Sequence, residues 1–145
     1  MAKPKEPQIP VDDAIIMDLL TLVNEDDYGI EIELTLTIGG NIVSGLLISA
    51  TAYYEGVIET YKKDQQSTVE KIVSKRLENL QEKYKKQKEE QKDQDKDGEE
   101  NLPKFIHLKN ARFNPVAGQT NSFNNSDTYW RGHVSSLDGF SFGTL

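Results

Sequence analysis

Residues 28–50 read YGIEIELTLTIGGNIVSGLLISA, and this stretch decides the fold. Its first half alternates. Ile30, Ile32, Leu34, Leu36 and Ile38 fall on one phase, Glu31, Glu33, Thr35 and Thr37 on the other. A period of two describes a strand with one buried face and one wetted face. Gly39-Gly40-Asn41 then breaks the run. Glycine reaches positive φ without a Cβ clash, so the triplet predicts a short hairpin loop. The return run, residues 42–48, is apolar on both phases and predicts a strand that is covered on both faces or sharply bent. Gly45 in its middle predicts a bend or a close backbone approach. Two strands with one apolar face are marginal in water, so the rest of the chain must supply more strands and a covering helix.

Upstream, residues 1–10 are polar with three prolines and predict a disordered arm, neither a signal peptide nor an anchor. Residues 11–24 predict a helix. Asp12 is the expected N-cap, and Asp13 favours the helix dipole in the first turn. Ile16, Leu19, Leu20 and Val23 fall at i, i+3, i+4 and i+7, a stripe fit to cover a sheet. The acidic run Glu25, Asp26, Asp27 reads as a solvated helix–strand loop, with a cation or partner site as the sharper alternative.

Downstream, Thr51 is placed to cap a second helix, whose apolar positions Tyr54, Val57, Ile58 and Tyr61 repeat the same spacing. Ser67 and Glu70 form an S-x-x-E capping box that opens a further helix. Its stripe, Val69, Val73, Leu77, Leu80 and Tyr84, is thin, which suits a helix lying on a surface or pairing with another helix. Residues 83–100 are nearly all Lys, Glu, Gln or Asp and predict a solvated helix that passes into coil. Strand composition returns at 102–113, with Phe105, Ile106, Leu108 and Phe113. Residues 114–128 predict a long loop. Residues 129–134 predict a strand, Asp138-Gly139 a hairpin turn, and residues 140–143 a closing strand held by Phe140 and Phe142.

The pattern predicts an α+β fold. It would be a small bent antiparallel β-sheet or an Sm-like/SH3-like barrel of about five strands, with an N-terminal helix and a charged helical insertion. The division expected is an arm at 1–10, helix, hairpin and following helix at 11–60, a charged insertion at 61–101, and strands at 102–145 that complete the same single domain.

The 145 residues carry net charge −7 and no cysteine. That excludes a disulfide framework and a thiol nucleophile, and argues against a general nucleic-acid binder, which needs a basic surface. No apolar run approaches the roughly 20 residues of a membrane span, so a cytoplasmic protein is expected. The charge is uneven. Residues 1–60 hold two cations (Lys3, Lys5) against eleven acids, residues 61–100 eleven of each, and residues 101–145 four cations against two acids. Acidic and mildly basic ends of one chain attract each other between molecules as well as within one.

Catalytic motifs are not found. His107 and His133 both fall in predicted strands and read as packing residues rather than bases. Gly39-Gly40 lacks the lysine and helix start of a phosphate cradle. Asp93, Asp95 and Asp97 before Gly98 match the first half of a calcium loop, yet the position for the closing bidentate Glu is Lys104. Calcium binding is therefore the weaker reading, an acidic solubilising tract the stronger. Tyr129 and Trp130 beside Arg131 could stack on bases in an RNA-binding small barrel, but Trp130 reads better as core. No catalytic, cofactor or metal site is assigned. Gly39, Gly40, Gly45, Gly132 and Gly139 are expected to matter for backbone geometry.

One resemblance emerges from the C-terminal block. Phe105-Ile106-His107-Leu108-Lys109-Asn110, then Trp130-Arg131-Gly132 and Asp138-Gly139-Phe140, resemble the gas vesicle accessory protein U (GvpU) family. Gly40, Val43-Ser44-Gly45, Ile48-Ser49 and Tyr53-Tyr54 extend the likeness to the hairpin. Against the family pattern, the insertion is longer and richer in Lys, and a basic C-terminal tail is not seen. The resemblance implies a non-enzymatic cytoplasmic protein, associated with gas vesicles, that influences their assembly or clustering. Its implied partners are the gas vesicle shell or other gas vesicle proteins, with self-association left open and no membrane or nucleic acid.

Overall fold

The structure is a computed structural model that describes residues 13–63, 67–94, 103–113 and 128–144. In chain order it contains α1 (Ala14–Val23), β1 (Ile32–Ile38), β2 (Asn41–Ile48), α2 (Ala50–Lys63), α3 (Thr68–Gln94), β3 (Phe105–Phe113), β4 (Tyr129–His133), a one-turn 3-10 helix (Val134–Ser136) and β5 (Leu137–Phe142). The expected arm at 1–10 and most of the 114–128 loop lie outside the described residues.

The hairpin forms as its sequence dictates. Ile38 pairs with Asn41, and Gly39 and Gly40 both take positive φ, 58° and 82°. That is the conformation a two-residue hairpin demands. Leu34 and Leu36 are buried, while Glu33 is exposed. In β2 the residues of both phases are covered, as the run of apolar side chains requires.

One antiparallel sheet runs in the order β4-β3-β2-β1-β5. The edge strands β4 and β5 are joined only by the 3-10 turn Val134–Ser136. A flat sheet of this width would separate its edges by about 19 Å. Three linking residues reach about 14 Å at most. The sheet must therefore roll. Among the described residues no ladder joins β4 to β5, so the roll stays open and the closed barrel is not reached.

Asp138-Gly139 does not form the expected hairpin. Neither residue has positive φ, and both lie within β5, which pairs with β1 rather than β4. The register shifts between Thr37 and Ile38, leaving Asp138 as the extra residue of a bulge. Its carboxylate accepts the Gly39 N–H at 2.8 Å and so steadies the other hairpin. The chain reverses instead at Val134, which is buried and whose N–H donates to Lys104 O at 2.9 Å.

A second bulge sits where β2 meets β3. Asn110 takes φ 55°, and the register slips between Ser44 and Leu46. This slip returns Ala111 to the core face after Ile106 and Leu108. Gly45 lies against it: an added Cβ would stand 2.9 Å from Lys109 O and 3.2 Å from Ala111 Cα. The close approach expected at Gly45 is thus a backbone contact with the bulge.

The core fills the roll. Leu34, Leu36, Val43, Leu47, Ile106, Leu108 and Val134 form one buried cluster with Ile16, Leu20 and Val23 of α1. Asp13, not Asp12, caps α1, accepting the Ile15 N–H at 2.7 Å. Trp130 packs on the edge of this core with its indole over Gly132, where a Cβ would lie 2.4 Å from the ring. The expectations for Trp130 and Gly132 explain each other. Gly139 has no positive φ and meets nothing within 4 Å among the described residues, so no such requirement is seen there.

Candidate functional site

β3 is buried on both faces, so a second packing layer lies outside the roll. α2 forms it. Ser49 Oγ caps this helix by accepting the Ala52 N–H at 3.0 Å. Thr51, the expected cap, instead donates to Asp26 at 3.1 Å. Tyr53 of α2 stacks on His107 with ring centroids 4.7 Å apart and meets Tyr129 edge-on at 6.1 Å. Burial pushes the Tyr53 phenol up from its ordinary value, partly opposed by Arg131.

α3 packs along α2. The capping box forms reciprocally: Glu70 N–H donates to Ser67 Oγ at 3.1 Å, and Ser67 N–H donates to the Glu70 carboxylate at 3.3 Å. Ser74, buried, sits in the contact face with half-buried Val73, Leu77 and Tyr84. Sequence spacing missed Ser74, because a small side chain lets two helices approach without any apolar signal. Val69 and Leu80, expected in the packed stripe, are exposed together with Ile72. They lie on one flank of the packed face. Lys62 and Glu78 tie the helices at 2.6 Å, and this hydrogen bond to Lys62 holds the Glu78 carboxyl below its ordinary pKa. Tyr84 packs on Tyr54 at 5.8 Å. Beyond it, Lys88 donates to Asn24 O at 2.7 Å and to Asp26 at 2.8 Å. Asp26 is therefore a clamp for α3 and α2, and the acidic run is not a free cation site at that residue.

Between α1, α2, α3 and β3–β4 lies a cleft of about 560 Å³. Its walls carry Tyr54, Tyr84 and Phe105, with His107, Arg131 and Lys104 beside them. His107 is 4% exposed, and its Nε2 has no hydrogen-bond partner among the described residues. Burial first, and the nearby Arg131 charge second, depress its pKa from 6.5 to about 3. The imidazole is thus neutral at pH 7. The Arg131 guanidinium lies over the Phe105 ring, 4.0 Å from its centroid.

The residues weighed for chemistry are scattered. His107 and His133 flank the Phe105 ring, at 6.4 Å and 4.7 Å between centroids. Tyr129 and Arg131 share the phase of the outer face, while Trp130 lies on the core face, so the three form no single stacking platform. Asp95, Asp97 and the Asp93 side chain lie outside the described residues. Among the described residues no group of three His, Asp or Glu is gathered to hold a metal, and no helix is long and apolar enough to cross a membrane.

A family model described as gas vesicle protein GvpU-like matches residues 13–145, nearly the whole chain. The chain belongs to the GvpU-like family of gas vesicle proteins. No curated protein and no solved structure matches it. The match spans the roll, the α2–α3 layer and the cleft alike.

Proposed function

We propose that the protein is a non-enzymatic, cytoplasmic accessory factor that associates with gas vesicles and influences their assembly or clustering through weak protein–protein contacts. The family match over residues 13–145 carries this reading. The character of the surface supports the mode of contact. α3 is 27 residues long and more than half charged, and Val69, Ile72 and Leu80 stand exposed along it. A charge-dense face with an interrupted apolar line makes shallow contacts whose strength comes from repetition rather than from a single pocket. A gas vesicle shell or another gas vesicle protein offers such repetition, and so does a second copy of the chain.

Flotation tests this. The protein is mixed with purified gas vesicles, and the vesicles are allowed to rise by low-speed centrifugation. The expected result is protein in the buoyant layer in proportion to vesicle surface. Protein that stays wholly in the liquid below, at every vesicle concentration, contradicts the reading.

A further inference from the structure

We infer that the cleft between α3 and β3–β4 is a binding site for a small organic anion, a planar ring joined to a carboxylate or a phosphate. Three independent features of the cleft converge on that class. The first is shape and lining. A cavity of about 560 Å³ falls in the range of small-molecule sites. The Tyr54 and Tyr84 rings, 5.8 Å apart between centroids and tilted by 38°, form an aromatic wall that accepts a planar group.

The second feature is charge. Lys83, Lys104 and Arg131 line the cleft, and among the described residues none has a carboxylate within ion-pair reach. Lys88 is different, because Asp26 and Asn24 O already occupy its ammonium. Among the described residues Glu25 is the acid that lines the cleft. Among the described residues the lining is cationic in excess, on a protein of net charge −7. Arg131 is held in place by its stacking on Phe105. A guanidinium so positioned presents a fork suited to the two oxygens of a carboxylate or phosphate.

The third feature is His107 Nε2, which finds no partner among the described residues. Leaving a buried polar nitrogen without a partner costs free energy that nearly all folded proteins avoid. His107 and Arg131 are direct cross-strand partners, and both residues line the cleft. Nε2 has almost no accessible surface, so a turn of the ring towards the cleft is needed before a neutral imidazole carrying its proton there donates to an anion held by Arg131. Burial that keeps this ring neutral also spares the site a repelling arrangement of two charged donors.

The test uses the full-length protein, isotope-labelled, and follows the His107 imidazole nitrogens and the Tyr84 ring by NMR. Adenosine 5′-monophosphate and 1-naphthoate are titrated separately, so the two anionic groups are compared. The expected result is a saturable shift at His107 and Tyr84 with at least one probe. Arg131→Gln should weaken that probe about tenfold. Lys62→Gln, on the α2–α3 contact outside the cleft, should leave it unchanged. Should Arg131→Gln fail to fold, Lys104→Gln takes its place, with a smaller loss of affinity expected. No saturable shift with either probe overturns the assignment. So does a shift that survives both cleft variants at full affinity. Flotation with gas vesicles is independent of this outcome, so the binding site and the vesicle-associated role stand or fall separately.

Discussion

Gly45 and Gly139 both sit in strands and look alike in sequence, yet the structure asks different things of them. A Cβ at Gly45 meets backbone on the adjoining strand at 2.9 Å, and backbone cannot rotate away as a side-chain tip can. Gly45→Ala should cost about 1–3 kcal/mol in urea unfolding. Gly139→Ala meets nothing within 4 Å and should stay within about 0.5 kcal/mol of the parent. Equal effects of the two changes would contradict the bulge geometry. His107 carries a second residue-scale prediction. Its folded pKa of about 3 lies below the ordinary 6.5. The unfolded chain therefore binds a proton that the folded protein refuses, and stability drops as pH falls from 6.5 towards 3. His107→Phe should flatten the stability–pH curve across that window, although carboxylates still titrate in both proteins. Parallel curves for the two proteins would show that the ring is not held neutral.

At the scale of elements, legibility followed the locality of the signal. The β1–β2 hairpin and the Ser67–Glu70 box are written in neighbouring residues, and both form as expected. Asp138-Gly139 has the same local signature as a hairpin turn. Its fate was decided by Gly39, ninety-nine positions away, whose N–H the Asp138 carboxylate accepts. No local pattern records that partner. The packed face of α3 was obscured for a related reason. Its apolar spacing counts Val69 and Leu80 as packed, but the buried residue of the packed face is Ser74, and Lys88 ties the helix to Asp26 in the loop after α1. The lysine is hidden inside a low-complexity run, where one Lys looks like the next. The exposed flank this leaves gives an element-scale prediction. Ile72→Lys with Leu80→Lys should leave the melting temperature within about 2 °C of the parent. The same double change should lower the fraction of protein that floats with vesicles. Loss of the fold, or unchanged flotation, would remove that flank from the proposed contact.

At the scale of the molecule, the roll, the outer helical layer and the charge pattern divide the work. The roll is held by aliphatic burial, to which one face of α1 contributes Ile16, Leu20 and Val23. The cleft belongs to the outer layer, and sequence reasoning missed it because its walls come from α1, α2, α3, β3 and β4 at once. His107 and Arg131 were each visible in the sequence, but their pairing across β3 and β4 depends on strand register. The uneven charge was legible from the start, with residues 1–60 strongly acidic and residues 101–145 slightly basic. Contacts between such surfaces are screened over about 8–10 Å at physiological ionic strength. The decisive measurement is therefore the clustering of purified gas vesicles by the protein, followed by light scattering as salt is raised. Clustering should be strong at low salt and fade as the charges are screened. Clustering of equal strength at low and high salt, or none at any salt, would contradict a vesicle-associated role exercised through charged contacts.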